Sequence, residues 1–292
     1  MTTAEHDNPF TWIVTGATRG FGRSIVETAL GRGDAVVAAV RRPAAMDDLA
    51  EQFADLLAVV EFDALHIDGV PAVVDAALDR FGRIDALINN AGRGYVGAAE
   101  EIPDAQLRES LALHLFTPAE LVRAVLPHMR ARRSGTIVQM SSQGGRLSFG
   151  GVGTYSAGKF ALEGWSEALA WEIASFGVRV MIVEPSRFRT AFNESDVLSV
   201  AESSEIYADV LAAVRADMLG ADGVQEGDPD RAAAIIVDLV HGDHVPLRLP
   251  LGAEAVQRLG FAYSGAAADL DRWADTARDA DFPGVAASVR PV

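Results

Sequence analysis

The stretch "FTWIVTGATRGFG", residues 10–22, decides the reading of the fold. Residues 10–16 are rich in apolar and β-branched side chains, as a buried strand requires, and the run breaks into Gly16, Gly20 and Gly22 before a segment that predicts a helix from about Arg23. Glycine at these positions lets the backbone turn tightly and approach a pyrophosphate, whose charge sits well at a helix N-terminus. A glycine turn by itself also serves packing. Its place after the first strand of a strand–helix–strand unit is what points to a dinucleotide.

Working outward, further strands are expected at 35–40 ("AVVAAV"), 56–62, 84–89, 135–141, 178–184 and 247–251. Between them, 104–131, 154–175 and 203–219 have helical periodicity. Strand and helix alternating in this way predict an α/β fold: a single doubly wound Rossmann-type domain, with a mostly parallel seven-stranded sheet and helices on both faces. Residues 1–9 are expected to be a flexible lead-in and 10–292 the catalytic domain, with 187–227 as substrate loop or lid and 262–292 as a C-terminal extension. Such sheets bind ligands at the carboxyl ends of their strands, where the strand order reverses.

Composition narrows the function classes. The chain has 292 residues, 49% of them hydrophobic and 23% charged, which suits a globular protein with a substantial core. A formal net charge of −16 argues against nucleic-acid partners and against anionic membranes. No apolar run approaches the ~20 residues of a membrane span. The start, "MTTAEHDNPF", lacks an apolar signal region, so a cytoplasmic protein is expected. With no cysteine, thiolate nucleophiles, disulfides and cysteine metal sites are excluded, and no metal is expected.

Lys159, in "TYSAGKFALEGWSEAL" (154–169), is the single lysine in a chain with 25 Lys+Arg. Chance survival is one reading. Against it, lysine is a slim point charge with a movable pKa, whereas guanidinium is a wide fork that stays protonated. Tyr155 lies one helical turn before it, so ammonium and phenol share a face, an arrangement for general acid–base chemistry. Ser142 ends the fifth strand, and Ser141 is an equal candidate on composition. At the other end, Arg41 and Arg42 follow the second strand where an acid would favour NAD, and Arg19 sits inside the glycine turn. Three arginines and no acid at the strand end point to a 2′-phosphate, hence NADP(H), over solvated surface charge.

"TGATRGFG", "NNAG" (89–92), "SS" (141–142), "YSAGK" (155–159) and "VEPSRFRT" (183–190), in this order, make the chain resemble the short-chain dehydrogenase/reductase family from about residue 10 to 260. "ALEGWSEALAWE" and "DRWADTARDADFPG" resemble its hydroxysteroid dehydrogenase-like branch. The resemblance implies that Tyr155 is the acid in carbonyl reduction and the base in alcohol oxidation. Ser142 would hydrogen-bond the substrate oxygen, while Lys159 would hold the nicotinamide ribose and lower the tyrosine pKa. In the turn, Gly16, Thr18, Arg19, Gly20, Phe21 and Gly22 would touch the cofactor. Asp63 would contact adenine, Asn90, Ala91 and Gly92 would line the cleft, and Pro185, Phe188 and Thr190 would hold the carboxamide end. A small carbonyl or alcohol substrate is implied, apolar if Phe149, Phe188 and Phe192 form a wall, and so is a homo-oligomer, dimer or tetramer.

Three departures stand out. Ser186 replaces the usual glycine after Pro185, which reduces backbone freedom, and Gly158 replaces the serine or threonine before the lysine, as close packing would require. His114 replaces an asparagine that helps position a relay water in the family. Either the histidine only fills the space, or its imidazole, with an unperturbed pKa of about 6.5, binds the water and couples the relay to solvent near neutral pH. Two other functions share parts of the pattern. A catalytically silent dinucleotide sensor would have lost the serine, tyrosine or lysine; a nucleotide-sugar epimerase or dehydratase carries a larger C-terminal substrate domain.

Overall fold

The computed structural model describes residues 9–286 and 288. All of the expected lead-in except residue 9, together with 287 and 289–292 of the expected extension, lies outside the described residues. The strands are β1 (Thr11–Thr15), β2 (Ala35–Val40), β3 (Leu57–Glu61), β4 (Ala86–Asn89), β5 (Gly94–Val96), β6 (Gly135–Met140), β7 (Val178–Pro185), β8 (Leu198–Val200) and β9 (Arg248–Leu251). The helices are α1 (Gly20–Gly31), α2 (Asp47–Gln52), α3 (Val70–Phe81), α4 (Asp104–Leu111), α5 (Thr117–Arg132), α6 (Gly153–Ile173), α7 (Ala208–Gly220), α8 (Pro229–His241) and α9 (Ala253–Arg278).

Seven strands form one parallel sheet in the order β3-β2-β1-β4-β6-β7-β9, the expected Rossmann-type arrangement. All six residues of β2 are buried, because a central parallel strand is covered on both faces and has no need of polar alternation. On β1, Trp12 and Val14 join the core under α1 and α8, while Ile13 points into the core under α3, α5 and α6. The chain winds outward from β1 to β3 and then crosses back to β4 on the other side of β1. That reversal opens a crevice at the carboxyl ends of β1 and β4.

Local chemistry sets the element ends. Asp228 caps α8 by accepting the Asp230 and Arg231 N–H groups ahead of Pro229, and Gly82 ends α3 at φ 73°. The helix expected over 104–131 is interrupted: residues Ala112–Phe116 form a π turn between α4 and α5, in which the Thr117 N–H reaches Ala112 O. Pro118 accounts for the break, since it has no N–H to return to the His114 carbonyl one α-turn back. Two strands were not anticipated. β5 and β8 are only three residues each and pair in parallel, tying the 187–227 segment to the chain just after β4. The expected helix over 203–219 begins at Ala208, and α9 is one continuous helix across the expected boundary at 262. Among the described residues no helix is long and apolar enough to cross a membrane.

Candidate active site

The glycine turn is built as a bare cradle. Gly16 and Gly20 have φ of 66° and 55°, and a Cβ on Gly20 would meet the Thr190 side chain at 2.9 Å. A Cβ on Gly22 would run into the Gly16 carbonyl and the Asn90 amide. Asn90 locks this turn from across the crevice: its Nδ2 donates to Thr15 O (2.9 Å) and Gly16 O (3.2 Å), while Thr15 Oγ1 accepts the N–H groups of Asn90 and Ala91 (3.0 Å each). α1 starts at Gly20, three residues before the expected position, so its first N–H groups face the cradle. Thr18 and Gly92 line the same crevice. A backbone surface without side chains at a helix N-terminus fits a pyrophosphate.

At the end of β2, Arg41 and Arg42 are exposed and form no ion pair among the described residues. Asp63 lines the same wall and accepts the Leu65 N–H (3.0 Å), closing its own turn. Arg19 is placed differently from the expectation that it stands free for a phosphate. Its two terminal nitrogens bond Glu194 (2.5 Å) and Asp196 (2.6 Å), both from the segment after Thr190.

The opposite end of the crevice brings together Ser142, Tyr155 and Lys159. Tyr155 and Lys159 lie one turn apart on α6, with Nζ 5.8 Å from the phenol ring centre and donating to Met140 O (2.7 Å). Burial pulls the Lys159 ammonium down to about 8, against the charge of Glu163. Burial also pushes the Tyr155 phenol up to about 12, with the Ser142 hydroxyl holding it down. In this structure the phenol therefore lies above its ordinary value instead of below it, because desolvation outweighs the Ser142 hydroxyl. The two serines differ in their surroundings: Ser142 accepts the Gly144 N–H (3.0 Å) and lies close enough to the phenol to lower its pKa, whereas Ser141 is buried beside the Glu163 carboxyl.

The π turn sets His114 against the same helix, its ring edge-on to Tyr155 at 5.5 Å. Both ring nitrogens are engaged. The Arg93 N–H donates to Nε2 (3.3 Å), which assigns the ring proton to Nδ1, 3.3 Å from Ser110 Oγ; that hydroxyl donates in turn to Thr154 O (3.0 Å). Burial, and then Lys159, hold the His114 pKa well below 6.5. The expectation of an imidazole titrating near neutral pH is thereby corrected, since a cation would be dry, next to an ammonium, and would lose the Arg93 bond. Gly158 explains itself here: a Cβ would lie 2.8 Å from His114 Nδ1 and 3.0 Å from Ser110 Oγ. Ser186 needs no unusual backbone, as Arg133 is the one non-glycine with positive φ among the described residues; its N–H and hydroxyl both bond Leu251 O.

The aromatic residues divide. Phe192 lies edge-on to Tyr155 at 5.5 Å, Phe188 packs against Phe21 at 4.9 Å beside the glycine turn, and Phe149 sits under the Arg258 guanidinium at 5.2 Å. All three line the same crevice, with Phe188 at the glycine-turn end and Phe192 at the Tyr155 end. Sequence reasoning missed the charged rim: Arg258 pairs with Glu254 (3.0 Å), and Arg187 with Asp217 (2.7 Å). It also missed a buried acid pair behind Lys159. Glu163 and Glu184 lie 3.3 and 3.5 Å from Arg248 Nε, and burial, then Glu163, pushes Glu184 up to about 7. The signal for Glu163 was its place one turn after Lys159; nothing local announced Glu184.

Comparison with known proteins adds the lineage. Residues 11–199 match the family model described as short chain dehydrogenase. The oxidoreductase BOA17 of Botryotinia fuckeliana is 34% identical, over 90% of this chain and 96% of its own. A 3-ketodihydrosphingosine reductase of Bacteroides thetaiotaomicron is 34% identical over 68% of this chain and 71% of its own. Among solved structures, a short-chain dehydrogenase from Streptomyces avermitilis superimposes with a TM-score of 0.89 at 42% identity, covering 94% of this chain and all of that one (100%).

Proposed function

The chain belongs to the short-chain dehydrogenase family of oxidoreductases, and we propose that it uses NADP(H) to interconvert a ketone or aldehyde with the corresponding alcohol. The observation that carries this reading is that Ser142, Tyr155 and Lys159 line one end of a crevice whose other end is a bare glycine cradle, with Lys159 Nζ 5.8 Å from the phenol ring centre. When bound, the nicotinamide supplies or accepts the hydride. Ser142 holds the substrate oxygen, and the phenol passes its proton to that oxygen in reduction and takes it back in oxidation. A phenol near 12 is protonated at neutral pH, the form that donates, which suits reduction. Lys159 orients the ribose and offsets phenolate charge. Neutral His114 maintains the shape of the π turn and the Arg93 N–H beside the site. The aromatic faces of Phe192 and Phe149 favour an apolar carbonyl compound, in keeping with similarity to a 3-ketodihydrosphingosine reductase.

Oxidation of NADPH, followed over a panel of ketones and aldehydes, tests the reading. Tyr155→Phe should lower kcat by roughly 10²–10⁴-fold while leaving dinucleotide affinity in place. If the protein binds dinucleotide but turns over no carbonyl on the panel, it is a binding protein and the proposal is wrong.

NADP(H) is supported by Arg41 and Arg42, which form no ion pair among the described residues and follow a strand that ends without an acid. Arg41→Ala should weaken NADPH binding about tenfold, ~1.4 kcal/mol, and leave NADH unchanged. Fluorescence titration of both dinucleotides checks this; unchanged NADPH affinity removes the argument.

A further inference from the structure

Arg19 lies inside the glycine turn, yet its guanidinium is held from 175 and 177 residues away, by Glu194 (2.5 Å) and Asp196 (2.6 Å). Asp196 lines the crevice wall together with Arg19, Arg41 and Arg42. Its carboxyl is kept below the usual range by Arg19 and, further off, by Arg42. An internal anion thus stands among the arginines to which the cofactor reading assigns a 2′-phosphate. The three side chains are 32%, 47% and 50% exposed, so each pair is weak and open to exchange with a stronger anion. A phosphate, with more charge and a geometry that matches the guanidinium fork, is such an anion.

We propose that Glu194 and Asp196 are specificity-determining residues: they hold Arg19 until a 2′-phosphate takes the guanidinium from them, so that NADP(H), unlike NAD(H), releases this segment on binding. The inference rests on the NADP(H) reading above. Its reach is set by the chain itself. Phe192, two residues before Glu194, lies against the Tyr155 ring, so the exchange at the adenosine end loosens the residue that covers the phenol. The segment stays tethered nearby, through Asn193 Nδ2 on Met218 O (2.7 Å) and β8 on β5. Because the coupling is reciprocal, whatever the carboxylates hold is subtracted from NADPH affinity.

The test is a cycle of dissociation constants for NADPH and NADH in the wild type, Glu194→Gln/Asp196→Asn, Arg19→Ala and the triple variant. Hydrogen exchange of residues 191–200 is followed with each dinucleotide. Neutralising the two acids should tighten NADPH about 5-fold, ~1 kcal/mol, and NADH by less than about 2-fold. The gain should vanish in the Arg19→Ala background, which separates the exchange from a general loss of repulsion. In the wild type, NADPH but not NADH should speed exchange in the segment. An equal gain for both dinucleotides, a gain that survives Arg19→Ala, or identical exchange with both ligands overturns the proposal while the NADP(H) reading stands. If neither the wild type nor the neutralised variant distinguishes NADPH from NADH, the cofactor reading falls and takes this inference with it.

Discussion

Lys159→Arg is expected to lower kcat by about two orders of magnitude or more, although it keeps the charge. Lys159 is 5% exposed, its Nζ is committed to Met140 O at 2.7 Å, and the Tyr155 ring bounds it on the cleft side. A guanidinium is too broad for that slot and cannot shed its proton to relieve the burial that draws the lysine down to about 8. The second readout is stability. With the folded pKa near 8 and the unfolded value near 10.5, the unfolded chain binds the extra proton between the two. Stability therefore rises with pH across that window, and the rise should be absent in Lys159→Arg. Chemical denaturation from pH 7.5 to 10 would show it. Wild-type turnover in the variant would mean that charge alone is selected and that the lone lysine is an accident of composition.

Gly158→Ser should be damaging by itself and largely repaired by adding His114→Asn. The new Cβ would lie 2.8 Å from His114 Nδ1, in a layer where the ring is 1% exposed and Ser110 is fully buried. Overpacking of this kind costs roughly 1–3 kcal/mol, more than the fraction of a kcal/mol that serine gains over glycine in a helix. Displacing the ring also moves the Arg93 N–H, so turnover should fall with stability. In the double variant the smaller amide makes room. Melting temperature and kcat for the two single variants and the pair form the cycle; additive losses would mean that the two positions are independent. His114→Asn has a further signature. Since the folded histidine stays neutral well below 6.5, the unfolded chain binds a proton that the folded chain refuses. Stability is then lost as pH falls below 6.5, at up to about 1.4 kcal/mol per pH unit for that proton, and His114→Asn should remove this part of the slope. For the same reason no inflection of the pH–rate profile between pH 6 and 9 should depend on His114.

Much of the architecture was legible because it is written in near neighbours. β2 is an unbroken apolar run, Gly16, Gly20 and Gly22 punctuate the end of β1, and Tyr155 and Lys159 are one turn apart on any helix. The π turn was half legible: Pro118 sits four residues after His114, but a proline says only that one bond is lost, not how the helix will absorb it. β5 and β8 were not legible, since three residues carry no period and the pairing joins Gly94 to Leu198 across more than a hundred positions.

What the sequence determined by itself, then, is the order of the strands in the main sheet, the crevice at which that sheet reverses, and the glycines, Ser142, Tyr155 and Lys159 that line it. Tertiary structure alone decided the state in which they arrive. His114 is neutral because burial and a lysine from another helix add up against its charge, and Arg19 is engaged because the chain returns two carboxylates to it. Glu184 is raised toward 7 because it is buried against Glu163. Periodicity and turn chemistry are properties of the local backbone, whereas desolvation and Coulomb energy are sums over whatever the fold brings within a few ångströms, and those neighbours have no fixed spacing along the chain.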